Sequence, residues 1–467
     1  MKVAVVGAGR VGLVSGLVLF ELGHELTLVD VDRSRLEQLR AGEMPFFEPG
    51  GAELLCAAIG SGRWTVTDAA EAIAACEVVL IAVPTPLGTD GRYDLGPLRE
   101  AVSTLRRVRA GAAEKLCWRG IFLRSTVLPG TTHRDLGETL VRSSADGSLP
   151  CPVGYLPEFL REGTALADAR RPDRIVVGAD DAALHALARA LFDGLHAEFF
   201  ATGTCTAELI KTANNAMLSV CVSFANEIAR LAETIDGVDA VEVFEGMRLD
   251  RRFQGTPRAG IVDYLLPGPG FGGSCLGKDL AALVSFAEGQ RQEPWLLDAA
   301  LRINETQPVC FVDRIDAALG GLAGRRVLVL GLAFKPGTDD VRGSVALPII
   351  HALVARGAEV QAHDPQAAQS GYRATLESLG VAVLPDNALR YAGDEACDDA
   401  YDDAFDAAEA VVLVTPWPSY VDALAEKLSK RSRPLLLADA RGVLRRTERA
   451  PCVTYLGIGL GGRVGAT

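Results

Sequence analysis

One cysteine, Cys275, ends the glycine-rich run Gly268-Pro269-Gly270-Phe271-Gly272-Gly273-Ser274-Cys275-Leu276-Gly277-Lys278-Asp279. A thiol placed there could serve as a covalent nucleophile. The residues that follow carry apolar side chains at helical spacing (Leu280, Leu283, Val284), so a helix is expected from about Lys278. A cysteine just ahead of a helix feels the positive end of its dipole, which favours the thiolate. Lys278 adds a positive charge, and Asp279 sets a carboxylate four residues from the sulfur. The glycines let backbone N–H groups approach an oxyanion or a phosphate. A flexible turn around one buried cysteine would use the same residues, and the loop alone does not separate the two readings. A second candidate pair is Lys211 and Asn215, whose i, i+4 spacing places them on one helix face. A cation there could stabilise an alkoxide while the amide positions a hydroxyl. A third is Gly7-Ala8-Gly9-Arg10-Val11-Gly12, with Asp30 about 20 residues beyond it.

These groups need elements to hold them. Residues 2–7 form a buried-strand run, Val14 to Leu22 has a helical pattern, and Leu26 to Val29 is a second strand closing on Asp30. Strand, glycine turn, helix and acid together form the dinucleotide fingerprint. Asp30 would bond the adenosine ribose hydroxyls and repel a 2′-phosphate, so NAD is expected rather than NADP. Short apolar strands follow at Val78 to Val83, Ile121 to Leu123 and Arg174 to Gly178, which implies a parallel sheet buried on both faces. Thr85 and Thr126 stand at carboxyl ends of such strands, where ligands bind in open α/β sheets. Glu208 to Glu233 contains no Gly or Pro and reads as one long helix carrying Lys211 and Asn215. A second Rossmann-like unit begins at Arg325, with strands at Glu359 to His363, Ala410 to Val414 and Leu435 to Arg441. It has no G-x-G-x-x-G, so a second whole dinucleotide is not expected. The Asp- and Ala-rich stretch Gly393 to Glu409 reads as a solvated insertion.

A chain of 467 residues is long for a single core, so two or three domains are expected. The net charge of −13 disfavours nucleic acid and anionic membranes as partners. No apolar run reaches about 18 residues, and the N-terminus runs straight into a strand pattern without a signal. Ten cysteines scattered without a C-x-x-C pair fit a reducing cytoplasm, and six scattered histidines offer no metal ligand set.

Taken together, the motifs resemble the UDP-glucose/GDP-mannose dehydrogenase family. The resemblance runs through Gly7 to Gly12 with Asp30, Ser125-Thr126-Val127, Pro157 to Thr164, Lys211 with Asn215, Phe224 to Glu227, Phe271 to Asp279, and Gly331 to Arg342. It implies an α/β fold of two Rossmann-like, doubly wound parallel-sheet domains joined by a long central helix. The divisions expected are 1–205 for NAD, 206–310 for the central region with the cysteine loop, and 311–467 for the nucleotide sugar. A homodimer through the central helix is implied as well.

The implied reaction oxidises a sugar C6 alcohol to a carboxylate in two steps, consuming two NAD and requiring no metal. Lys211 would stabilise the alkoxide, and Cys275 would add to the aldehyde and carry a thioester. Glu158 would be the base of its hydrolysis, Asp279 and Thr126 would order water and proton transfer, and Asn215 would orient the sugar. Cofactor contacts map onto Gly7, Gly9, Gly12, Asp30, Arg35, Thr85, Thr126, Glu162 and Arg342. Substrate contacts map onto Phe159, Leu160, Lys211, Asn215, Tyr264, Leu265, Gly272, Lys335 and Arg441, of which Lys335 and Arg441 suit a diphosphate. Some positions depart from the family pattern. Leu276-Gly277 stands where Phe-Pro or Leu-Pro is usual, Leu156 replaces an Asn, and Gly343 replaces a Glu. Arg258 is the nearest counterpart of an arginine that reaches across the dimer, shifted by one residue. UDP-glucose is the substrate expected first, with GDP-mannose, a UDP-N-acetylhexosamine or a TDP-sugar as alternatives. A catalytically silent NAD or nucleotide-sugar sensor is opposed by intact Cys275, Lys211, Asp279 and Glu158.

Overall fold

The computed structural model describes residues 1–112, 116–137, 140, 151–250, 264–367, 372–385 and 400–461. Arg258 and residues 393–399 lie outside them. The chain forms two compact units, Met1–Asn214 with Ser285–Gln292, and Asn215–Val284 with Glu293–Thr467. The rest of the stretch expected as a solvated insertion is not one: Ala400–Ala407 is a helix that buries Tyr401, Ala404 and Phe405 in the core of the second unit and turns its aspartates outward.

The first unit is built on eight strands: β1 (Lys2–Val6), β2 (Glu25–Val29), β3 (Trp64–Thr67), β4 (Val78–Ile81), β5 (Gly120–Leu123), β6 (Val153–Tyr155), β7 (Arg174–Gly178) and β8 (Glu198–Thr202). Their order is β3-β2-β1-β4-β5-β6-β7-β8. All pairings are parallel except β6 with β7, which meet antiparallel at Tyr155 and Gly178. The apolar runs read from the sequence are buried on both faces. Val3, Val5, Leu26 and Leu28 pack with Leu13 and Leu17 of helix α1 (Arg10–Glu21) on one side. Val79, Ile81, Ile121 and Leu123 pack with Leu98 and Leu105 on the other. Helix α1 stops where expected, at Gly23 with φ +91°. The strand order reverses direction between β1 and β4, and a crevice at the carboxyl ends is expected there.

Helix α2 (Thr204–Glu233) runs 30 residues, beginning four residues before the periodicity predicts. Helix α3 (Leu276–Gly289) begins two residues before the expected start, so Cys275 stands directly at its N-terminus. Helix α4 (Trp295–Leu319) follows. The second unit carries a six-stranded, wholly parallel sheet of β9 (Arg326–Leu330), β10 (Glu359–His363), β11 (Ala382–Val383), β12 (Ala410–Leu413), β13 (Leu435–Asp439) and β14 (Val453–Gly457). Its order, β11-β10-β9-β12-β13-β14, repeats the pattern of the first six strands of the other sheet. Leu328, Leu330, Val411 and Leu437 form its core with Phe311, Val312 and Ile315 of α4. Among the described residues no helix is long and apolar enough to cross a membrane.

Candidate active site

In the first unit the three fingerprint glycines differ in what they need. Gly7 has φ +100°, and a Cβ there would lie 2.6 Å from the Ala82 carbonyl oxygen. A Cβ on Gly12 would lie 1.9 Å from the Gly7 oxygen, so α1 can approach β1 only through a glycine. At Gly9 a Cβ would meet nothing within 4 Å, which leaves the space a pyrophosphate needs beside the helix N-terminus. Asp30 closes β2 with one carboxylate oxygen accepting the Ala8 N–H (2.6 Å) and the Arg35 guanidinium (3.2 Å). Arg35 also pairs with Asp32 at 3.3 Å, so the two acids outnumber the one cation where a 2′-phosphate would sit. Thr85, at the end of β4, donates its hydroxyl to the Thr126 carbonyl (2.8 Å), joining the two strand ends. Glu162 stands 3.8 Å from Arg10, whose guanidinium lies over the Phe46 ring. These residues fit NAD: a bare glycine cradle, a helix N-terminus and an acid at the second strand.

Glu158 follows β6, and Lys211 lies on α2; both are buried, and Lys211 Nζ stands 3.0 Å from Glu158 Oε1. The other carboxylate oxygen accepts the Leu160 N–H at 2.6 Å. Phe159 lies between two cations, with Arg174 4.1 Å and Lys211 5.4 Å from its ring centre. Glu208, one turn before Lys211, is fully buried and accepts the Gly130 N–H (2.6 Å), the Thr132 N–H (2.8 Å) and the Thr132 hydroxyl (2.7 Å). It clamps α2 to the loop that follows Thr126, and burial pushes its carboxyl above the ordinary value against those three bonds.

In the second unit Cys275 is exposed at the N-terminus of α3, its Sγ 3.6 Å from the Ser274 hydroxyl. The Asp279 N–H closes the first helical bond onto the Cys275 carbonyl (2.9 Å). The Asp279 side chain is fully buried, with one oxygen accepting from Lys278 Nζ (2.6 Å) and the other from Asn215 Nδ2 (2.6 Å). Asn215 is thereby fixed by the helix that carries the thiol. The glycine loop ahead of Cys275 is not a flexible turn. Asn226 accepts the Gly268 N–H (2.8 Å), Gln307 donates to the Gly268 carbonyl (2.9 Å), and Asn304 bonds both the N–H and the carbonyl of Phe271 (2.7 and 3.2 Å). A Cβ on Gly272 would lie 2.5 Å from the Gly343 oxygen, and one on Gly343 (φ +63°) would lie 2.8 Å from the Gly273 oxygen. The loop and the Gly343 segment pack backbone to backbone, which a side chain at position 343 would prevent. Asn226 lies within the Phe224 to Glu227 stretch that carries the resemblance, though no role was read for it, while Asn304 and Gln307 were not singled out by sequence; the signal was their i, i+3 spacing on α4.

The remaining expected substrate residues divide. Gly268 abuts Arg441: a Cβ there would lie 3.3 Å from the guanidinium, whose proton affinity burial pushes down to about 10. Lys335 lies over Phe334, whose ring faces Gly273. Leu265 is buried with Cys221, Ala225 and Phe244, and Tyr264 packs against that cluster. Arg342 sits in the second unit, forked onto Asp340 at 2.6 to 3.1 Å. Asp364, which closes β10 as Asp30 closes β2, instead accepts the N–H groups of Leu332, Ala333, Gln366 and Ala367 and the Trp417 indole N–H. An acid so occupied has little capacity left for a ribose.

Comparison with known proteins is extensive. The models of three domains of the UDP-glucose/GDP-mannose dehydrogenase family match in sequence order: the NAD binding domain over residues 1–196, the central domain over 205–306 and the UDP binding domain over 328–446. The UDP-glucose 6-dehydrogenase of Rhizobium meliloti (strain 1021) is 35% identical over 459 residues, covering 96% of this chain and 97% of that protein. Among solved structures, a UDP-glucose dehydrogenase from Pyrobaculum islandicum superposes with a TM-score of 0.84 at 36% identity, covering 98% of both chains. A UDP-D-ManNAc dehydrogenase from Pyrococcus horikoshii gives 0.80 at 26% identity, covering 98% of this chain and 99% of the other.

Proposed function

The chain belongs to the UDP-glucose/GDP-mannose dehydrogenase family, and from that premise we propose that it oxidises UDP-glucose to UDP-glucuronate through a covalent adduct on Cys275. As a family member it is an NAD-dependent nucleotide-sugar dehydrogenase. The observation that carries the covalent reading is the exposed Cys275 thiol at the start of α3, one turn from Asp279, which is fully buried between Lys278 and Asn215. A packing cysteine would be buried; this one is presented by a loop that amide side chains hold in place.

NAD supplies the hydride acceptor for each of the two oxidations of C6. In the first, the hydroxyl loses its proton, and the Lys211 ammonium stabilises the charge growing on the oxygen. Asn215, its amide fixed by Asp279, orients the sugar hydroxyl. The Cys275 thiolate then bonds to the aldehyde carbon, forming a thiohemiacetal that keeps the intermediate on the protein. Its oxidation leaves a thioester at Cys275. Water, deprotonated by Glu158, attacks the thioester carbonyl, and the C–S bond breaks to give the acid and the free thiol. Two contacts hold the Glu158 carboxylate, Lys211 on one oxygen and the Leu160 N–H on the other. Thr126 and Asp279 would order the water and relay its proton. Lys335 and Arg441 would hold the diphosphate.

The reading extends to a cytoplasmic homodimer. Helix α2 exposes Met217, Phe224 and Leu231, and an apolar groove of about 370 Å³ beside it is lined by Met217, Val220, Phe224, Met247, Leu265 and Leu296. A second copy of α2 would cover that face.

NADH formation with UDP-glucose, GDP-mannose, UDP-N-acetylmannosamine and a TDP-sugar tests the assignment. Two NADH per UDP-glucose, with UDP-glucuronate as product and the other sugars at least tenfold poorer in kcat/KM, is expected. Preference for another sugar would move the assignment within the family, and no NADH from any would overturn it.

A further inference from the structure

Among the described residues Arg124, directly after β5, is a buried guanidinium in the same unit as Glu158 and Lys211 that the proposed chemistry does not use. Only 8% of it is exposed. Its Nε donates to the Ser15 hydroxyl on α1 (2.8 Å), and its Nη1 donates to the Leu156 carbonyl (3.2 Å). Among the described residues it forms no ion pair within salt-bridge distance, and the Phe192 ring centre lies 6.0 Å from it. A buried cation without a paired carboxylate is costly and needs a reason. Leu156 is two residues before Glu158, and the Leu156 N–H is itself held by the Leu123 carbonyl at 2.8 Å. Both sides of the backbone leading into Glu158 are therefore pinned to the end of β5.

We infer that Arg124 is a positioning residue: it anchors the segment that carries Glu158 to α1 and keeps the buried Glu158–Lys211 cluster positive. Among the described residues, Glu158 meets Lys211 from α2 and interacts with Arg124 from the end of β5, which also feels Tyr155 on β6, while Arg174 of β7 stacks on the adjacent Phe159. Burial pushes the Arg124 guanidinium below its ordinary value, while Glu158 and then Tyr155 act in the opposite sense, so the field of Arg124 reaches the carboxylate. With Lys211 and Glu158 neutralising each other, Arg124 keeps the buried cluster positive, with Arg174 beyond the Phe159 ring adding to it, which suits chemistry that develops an alkoxide and then an oxyanion. By way of Ser15, the same residue ties the catalytic carboxylate to the helix that opens the dinucleotide site.

The inference rests on the proposed function, and the test keeps the two apart. Arg124→Gln removes the charge but retains a donor for Leu156; Arg124→Lys retains the charge but loses the fork. In Arg124→Gln, kcat is expected to fall about tenfold with both KM values within about twofold, and the acid side of the rate profile to move up by about half a pH unit or more. Arg124→Lys should restore the profile's position and part of kcat. Crystal structures of the two variants read the positioning without any substrate: the 3.0 Å contact between Lys211 and Glu158 should loosen in Arg124→Gln. An unmoved profile with wild-type kcat, or a loss that falls only on the KM for NAD, would overturn the inference. If neither variant folds, Ser15→Ala, which removes one acceptor of Arg124, should give a smaller shift in the same direction, and no shift would overturn it. If wild type oxidises no nucleotide sugar, the functional reading fails, while the two structures still decide the positioning.

Discussion

For Lys211, the ion pair that the structure shows and the catalytic role proposed above would be confounded by a single substitution. The residue is 4% exposed and its ammonium neutralises Glu158, and the proposed chemistry asks the same charge to stabilise an alkoxide. Lys211→Ala is expected to lower turnover by roughly 10²–10³ with NADH affinity unchanged, as removal of one transition-state donor does. It also strands a buried carboxylate, at about 3 kcal/mol of stability. Adding Glu158→Gln should recover most of that stability but none of the turnover. Steady-state kinetics beside thermal unfolding separate the two effects, and near wild-type turnover in either variant would remove Lys211 from the chemistry. At this scale the candidate residues were legible because their types and spacings are unusual: a cysteine after four glycines, an acid 18 positions beyond Gly12, and a Lys–Asn pair one turn apart. Glu208, Asn304 and Gln307 were not, and Asn226 was marked only as part of a longer motif, because a polar residue on a helix ordinarily faces water. Only the structure shows what each is turned towards.

At the scale of elements, the position of α2 depends on Glu208. Three donors from the Gly130–Thr132 loop meet its carboxylate, yet burial is the larger effect and raises its proton affinity above the ordinary value. A carboxyl raised in the folded state contributes stability that is full below its unfolded value and is lost as pH climbs through the raised one. Wild type should therefore lose stability from this group as pH rises from about 4.5 towards neutrality. The difference in Tm, Glu208→Gln minus wild type, should become more positive over that interval; a difference that stays flat or falls would contradict it. The strands buried on both faces were read directly from their apolar runs, as at Val78–Ile81 and Arg326–Leu330. Those at the margins were missed, including Glu198–Thr202 and Val453–Gly457, because half-exposed edges mix polar with apolar residues. The helix starts at Thr204 and Leu276 were placed late for a related reason: first-turn residues satisfy capping and approach rather than the apolar stripe.

At the scale of the molecule, two sheets of the same strand order treat the acid at the end of their second strand differently. Asp30 lies beside an open glycine cradle, whereas Asp364 is enclosed by four backbone N–H groups and Trp417. A chain with net charge −13 must hold anionic ligands by local cations and backbone N–H groups, a task the proposed function gives to Lys335, Arg441 and the Gly9 turn. The claim that joins these parts is that Cys275 carries the sugar between two oxidations. Cys275→Ser tests it most directly, because the first oxidation does not use the sulfur and the second does. A serine hydroxyl is a far weaker nucleophile near neutral pH than an activated thiol. Rapid mixing of Cys275→Ser with UDP-glucose and NAD should give one burst of NADH, approaching one per active site, followed by collapse of acid formation. Mass spectrometry of the denatured variant should show no thioester. Sustained production of two NADH and one UDP-glucuronate per sugar at the wild-type rate would contradict the covalent account.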